Sequence, residues 1–182
     1  AQGETETLNK LLDEGGCDLV IAGPVERPRV ACETLFYQRL VVAVGRGHAL
    51  AALDKVSYDD LAGCDIVTYR SGIACGDTLD AFLRRTGAPL DEMNLIRNYE
   101  DEIILGALVV REPVVALTML TSNLLPNPDM AVLPLAVEGA REFYPVSLTY
   151  REKTFRDPAA QAFINFARTF EAPPYVRDDF PF

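Results

Sequence analysis

Four cysteines, Cys17, Cys32, Cys64 and Cys75, and a single histidine, His48, are the side chains best suited to covalent or metal chemistry in this 182-residue chain. No two cysteines form a C-x-x-C pair, and one histidine cannot complete a zinc-finger set, so no metal and no cofactor are expected. Neither a Ser-His-Asp nor a Cys-His-Asn arrangement with supporting context can be assembled, so the chain does not read as an enzyme. Cys75 stands near an expected helix start with Arg70 close in sequence, a setting that lowers a thiol pKa. A redox-sensing or nucleophilic thiol is one reading of Cys75; a buried, idle cysteine is the commoner case and the preferred one. His48 lies in a turn and reads as a solvated residue.

Non-covalent chemistry is better served. The segment Tyr69-Arg70-Ser71-Gly72-Ile73-Ala74-Cys75-Gly76 joins an expected strand to an expected helix. Free N–H groups at such a start favour a carboxylate or phosphate, and Ser71 adds a hydroxyl. Plain capping of the chain's own amides by Ser71 competes with ligand binding there. Ligands of open α/β sheets gather at strand carboxyl ends, which favours the binding reading. Thr5 and Thr7 precede the first helix, where Thr5 reads as a cap. Glu100-Asp101-Glu102 reads as a helix start complementing the dipole rather than as a metal site.

These groups need elements to hold them. Residues 4–14 place Leu8, Leu11 and Leu12 on one face of a helix stopped by Gly15-Gly16. Residues 18–22 read as a buried strand ended by Gly23-Pro24. Residues 36–44 form one long β-branched strand, 57–61 a helical turn, and 65–69 another strand. Helices follow over 77–85 and 101–110, the second with Ile104, Leu105 and Leu108 inward. Strands are expected at 94–98, 113–118, 130–135 and 143–150, with a short helical piece at 120–125. Asp157-Pro158 opens the last helix as N-cap and first-turn proline. Its Phe163, Phe166, Ala167 and Phe170 recur at helical spacing and read as core packing. Strands alternating with helices imply βαβ units and mostly parallel sheets, an α/β class.

Composition excludes several functions. The formal net charge is −10, so the chain by itself lacks the basic surface of a strong nucleic-acid binder. No run approaches the roughly 20 apolar residues of a membrane span, and no signal peptide is visible. With 49% hydrophobic residues the chain is expected to fold without disulfide staples, and free thiols in a cytoplasm are the default.

The order of pieces resembles the effector-binding domain of LysR-type transcriptional regulators. The likeness opens at Gly3-Glu4-Thr5-Glu6-Thr7-Leu8 and runs through Leu11-Leu12-Asp13-Glu14-Gly15-Gly16-Cys17-Asp18-Leu19-Val20-Ile21. It continues with Val44-Gly45-Arg46-Gly47-His48-Ala49-Leu50 and Ser57-Tyr58-Asp59-Asp60-Leu61-Ala62-Gly63, covering roughly residues 3–170. Each motif is weak alone; their order and spacing together are fairly specific.

That resemblance implies a two-lobe, periplasmic-binding-protein-like fold with two crossing segments and a small-molecule effector in the cleft between lobes. Lobe one would hold residues 1–45 and 150–170, lobe two 57–142, with 171–182 an irregular tail. Ligand contacts are expected at Thr5, Gly23, Arg70, Ser71, Gly72 and Thr118, and the effector class is often a small carboxylate. A homodimer using the 77–85 helix and the 94–98 strand is implied, with DNA bound only through a winged helix-turn-helix that this chain does not contain. The family's domain also begins with a strand, a helix and a strand before the segment that opens this chain, so the chain is expected to be a fragment. A glycine-rich family segment is replaced by Arg111-Glu112-Pro113-Val114-Val115-Ala116-Leu117-Thr118, which makes Arg111 and Glu112 specificity candidates. A transporter-associated solute-binding protein shares the two-lobe plan, but four cysteines and no export signal argue against it.

Overall fold

A computed structural model of the chain describes residues 1–125, 127–152 and 157–177. In chain order its elements begin with helix α1 (Thr5–Asp13) and strands β1 (Leu19–Ala22), β2 (Val30–Gln38) and β3 (Leu40–Gly45). Strand β4 (Asp65–Tyr69), helix α2 (Ala74–Arg85), strand β5 (Asn94–Tyr99) and helix α3 (Glu102–Arg111) follow. The chain then forms β6 (Val115–Met119), β7 (Met130–Pro134), β8 (Tyr144–Arg151) and helix α4 (Pro158–Arg168). Two compact units result: residues 1–37 with 145–173, and residues 38–144 with 174–182. The chain therefore passes from one unit to the other three times, after Tyr37, Tyr144 and Pro173.

The first unit carries a three-stranded sheet in the order β1-β8-β2, with β1 antiparallel to β8 from Leu19 opposite Tyr150 to Ala22 opposite Ser147. The second carries five strands in the order β5-β4-β6-β3-β7. Here β4 runs parallel to β5 and β6, whereas β3 is antiparallel to both β6 and β7. The expectation of mostly parallel sheets is thus corrected: the sheets are mixed. The βαβ rule holds for the β4-α2-β5-α3-β6 run, where helices supply the crossovers. It fails for β3, which arrives directly from β2 with no helix between them and inserts antiparallel.

The same junction splits the single strand expected over 36–44. Residues 30–38 are half-buried throughout except at the exposed Thr34 and Tyr37, while Leu40–Val44 is buried at every residue, as a central strand covered on both faces must be. Arg39 stands between them. Strand 18–22 is also not uniformly buried, since Ile21 on the strand β1 is 48% exposed. In α3 it is Leu105, Gly106 and Val109 that face inward, and Ile104 points out. The phenylalanines of α4 are likewise not core: Phe163, Phe166 and Phe170 are exposed, and Ala160, Ile164 and Ala167 make the buried face. The stripe sits one helical position round from the buried one, a rotation that spacing alone does not fix.

Candidate functional site

Strands β4, β5 and β6 are parallel neighbours, so their carboxyl ends lie at one end of the five-stranded sheet. From that end rise the Arg70–Gly72 loop into α2, the Glu100–Asp101 turn into α3, and the residues after Met119. Two glycines make the first loop possible. Gly72 has φ +81°, and a Cβ on Gly76 would fall 1.9 Å from the Arg70 carbonyl oxygen, so the first turn of α2 can press on the strand end only without a side chain.

The loop's donors are already engaged. Gly72 N–H donates to Asp77 Oδ1 at 2.8 Å, and Ser71 Oγ donates to Asp80 Oδ2 at 3.1 Å. Asp80 is ion-paired with Arg97 of β5, and Arg70 with Glu100. Ser71 therefore does not cap the helix: the N-cap is Ile73, which makes no side-chain capping bond. Asp77, Asp80 and Arg97 join the candidate site through these contacts, and sequence reading missed them. Their available signals were an arginine inside a strand and two acids within the first two turns of a helix.

Beneath the loop lies a buried hydroxyl network. Thr118 is fully buried, with its Oγ1 2.8 Å from the Tyr69 hydroxyl, and Met119 N–H donates to that same Tyr69 oxygen at 3.0 Å. Thr68 Oγ1 donates to the Leu117 carbonyl at 2.7 Å. Burial pushes the Tyr69 phenol well above its ordinary range, so it stays neutral. Cys75, one turn away, is pushed up to about 11, mainly by burial, which outweighs the bonds its sulfur accepts from backbone amides. A thiol so protonated is a poor nucleophile. His48 caps the short 3-10 helix Ala49–Ala52, its Nδ1 accepting from Leu50 N–H at 3.2 Å.

In the other unit Thr5 opens α1, and Gly23, buried, follows β1. The turn at Gly15-Gly16 folds β1 back along α1, bringing both residues to one end of that pair. Asn9, 4% exposed, links the two sides: its Nδ2 donates to the Thr5 carbonyl at 2.8 Å and its Oδ1 accepts from Arg27 at 3.1 Å. Asp101 is the N-cap of α3, accepting from Ile103 N–H at 2.6 Å, so the acid run there serves the helix start. No group of three or more metal-binding side chains occurs among the described residues, and no described helix is long and apolar enough to cross a membrane.

Comparison with known proteins places this geometry. No curated protein matches the chain. Among solved structures, the effector-binding domain of QuiR in complex with shikimate is similar at TM-score 0.75 and 21% identity, covering 92% of this chain and 78% of that one. The effector-binding domain of a BenM variant is similar at TM-score 0.74 and 20% identity, covering 92% and 77%. HinK, a LysR family regulator from Pseudomonas aeruginosa, gives TM-score 0.74 and 15% identity, and this chain spans 58% of its length. These likenesses share the fold. The LysR substrate binding domain family matches residues 1–171, nearly the whole sequence, and so the chain belongs to that family, the effector-sensing and non-enzymatic part of LysR-type regulators.

Proposed function

We propose that the Arg70–Gly72 loop is the effector-recognition element and that the effector carries a carboxylate. One observation carries this reading: two of the loop's donors, Gly72 N–H and Ser71 Oγ, already hold carboxylates, those of Asp77 and Asp80. The chain's own acids act as stand-ins, and a ligand carboxylate would displace them, leaving Asp80 to its existing ion pair with Arg97. QuiR's shikimate, a hydroxylated carboxylate, is of the chemical kind such donors accept. Thr5 and Gly23 are proposed as further contacts, and Thr118 as a contact reached once Tyr69 shifts. The whole protein would work as a homodimer in the cytoplasm and would bind DNA through a winged helix-turn-helix outside this sequence.

The test is calorimetry of the chain against shikimate, benzoate and citrate. For whichever carboxylate binds, Ser71→Ala should weaken affinity by about tenfold, the value of one hydrogen bond to a charged group. Asp80→Asn, which removes the competing internal carboxylate, should tighten it. Unchanged affinity in Ser71→Ala, or weaker binding in Asp80→Asn, would show that the loop is not the anion site.

A further inference from the structure

The family match ends at residue 171, yet the chain continues and returns to the second unit after Pro173. There Pro174–Val176 forms a 3-10 turn closed by Arg177 N–H donating to the Pro174 carbonyl at 3.0 Å. The Arg177 carbonyl accepts from Nη2 of Arg39. Arg39 is 2% exposed, among the largest fully buried side chains, and lies two residues past the point where the chain first enters this unit. A guanidinium taken out of water is tolerated only where acceptors meet it, because desolvating a charge is costly. One of those acceptors is supplied by the C-terminal segment. The backbone around Arg39 is tied in as well: Leu120 N–H donates to the Arg39 carbonyl at 2.8 Å, and Leu40 N–H to the Ala140 carbonyl at 2.7 Å.

We propose that residues 174–177 are a latch on Arg39, a conformational device outside the family-matching segment that sets how readily the backbone entering β3 opens. Pro173-Pro174 suits this role, since two fixed φ angles lower the entropy lost when the segment docks. With the latch seated, Nη2 of the buried cation keeps its acceptor and the backbone entering β3 is held. With it released, Arg39 loses an acceptor and draws toward water, loosening the backbone bonds at Leu40 and Leu120. The proposal is independent of where the effector binds.

Hydrogen exchange on the intact chain, and on a chain ended after Pro173, tests it. Truncation should speed exchange at the Leu40 and Leu120 amides by about tenfold, the scale of one charged hydrogen bond, and leave β1 and α1 unchanged. In an Arg39→Met background the same truncation should change those rates by less than about twofold, because the cation the latch serves is gone. Should Arg39→Met fold poorly, Arg39→Gln supplies the second background. No acceleration on truncation, or equal acceleration with and without Arg39, would overturn the latch.

Discussion

In the larger unit Ile66, Leu79, Leu83, Leu105 and Leu117 are fully buried in one continuous apolar cluster spanning the five-stranded sheet and its helices. In the smaller unit the corresponding cluster reduces to Leu148, Tyr150, Ile164 and Ala167, with Leu19, Ala31 and Leu35 around it. Polar clamps take up the difference. Glu33 of β2 receives both a bidentate bond from Arg168 of α4, at 2.8 and 2.6 Å, and the Tyr150 hydroxyl of β8. Arg27 ties the segment after β1 to Asp13 and Asn9, and Arg151 donates to the Leu12 carbonyl at the end of α1. One unit is held by area removed from water; the other leans on charge, so the two should respond to different insults.

The largest effect expected from this contrast is in the cores. Leu117→Ala in the larger unit should cost about 3–5 kcal/mol, because its tightly covered site cannot collapse; Leu148→Ala should cost about 2–3 kcal/mol, where fewer neighbours are lost. Chemical denaturation of each variant measures this, and equal costs would erase the contrast.

Next comes the charge clamp. Hydrogen bonds from Arg168 chiefly, with the Tyr150 bond and the charge of Arg168 adding, hold the Glu33 carboxyl down at about 2 against an ordinary 4.5, despite the burial that pushes it up. The folded pKa lies below the unfolded one. Glu33 therefore stabilises fully above about pH 4.5, and that contribution is lost as pH falls toward 2. Because Arg168 is half exposed, solvent screening reduces the contribution to about 1–2 kcal/mol. Glu33→Gln should remove it at neutral pH and flatten the acid response of the smaller unit, as followed by hydrogen exchange at β8. Acid sensitivity that persists in Glu33→Gln would place the titrating group elsewhere.

The smallest effect sharpens the comparison from the other side. Asp101→Ala removes the N-cap of α3 in the larger unit and should cost about 1 kcal/mol. Since the Asp101 carboxylate accepts from Ile103 N–H, thermal melts at neutral pH should show the loss in full.

The sequence made some of this plain and hid the rest for physical reasons. Strand 65–69 and the Asp157-Pro158 helix start were readable because each is decided locally, by an apolar run with breakers beside it and by a cap whose carboxylate bonds Ala159 N–H. The 36–44 run concealed a change of sheet, because the β-branched residues on either side of Arg39 look alike while their burial does not. The α4 stripe pointed to the wrong face because Ala160 and Ala167 bury where larger phenylalanines would be expected. At the candidate site, Arg70, Ser71 and Gly72 were proposed from strand-to-helix logic. Their partners Asp77, Asp80 and Arg97 were not, since pairing between β5 and α2 depends on tertiary placement. Thr118 was expected as a ligand contact from the family resemblance; its burial and its bond to the Tyr69 hydroxyl are tertiary facts that spacing does not show.

That seal bears on selectivity. The bonds from Thr68 to the Leu117 carbonyl, and from Tyr69 to Thr118 and Met119, fasten β4 to β6 by side chains as well as by the ladder. On the proposed reading of the Arg70–Gly72 segment, substitutions there would retune recognition without disturbing the strands that carry it. Selectivity would then be modular, set in the loop while the scaffold beneath stays intact.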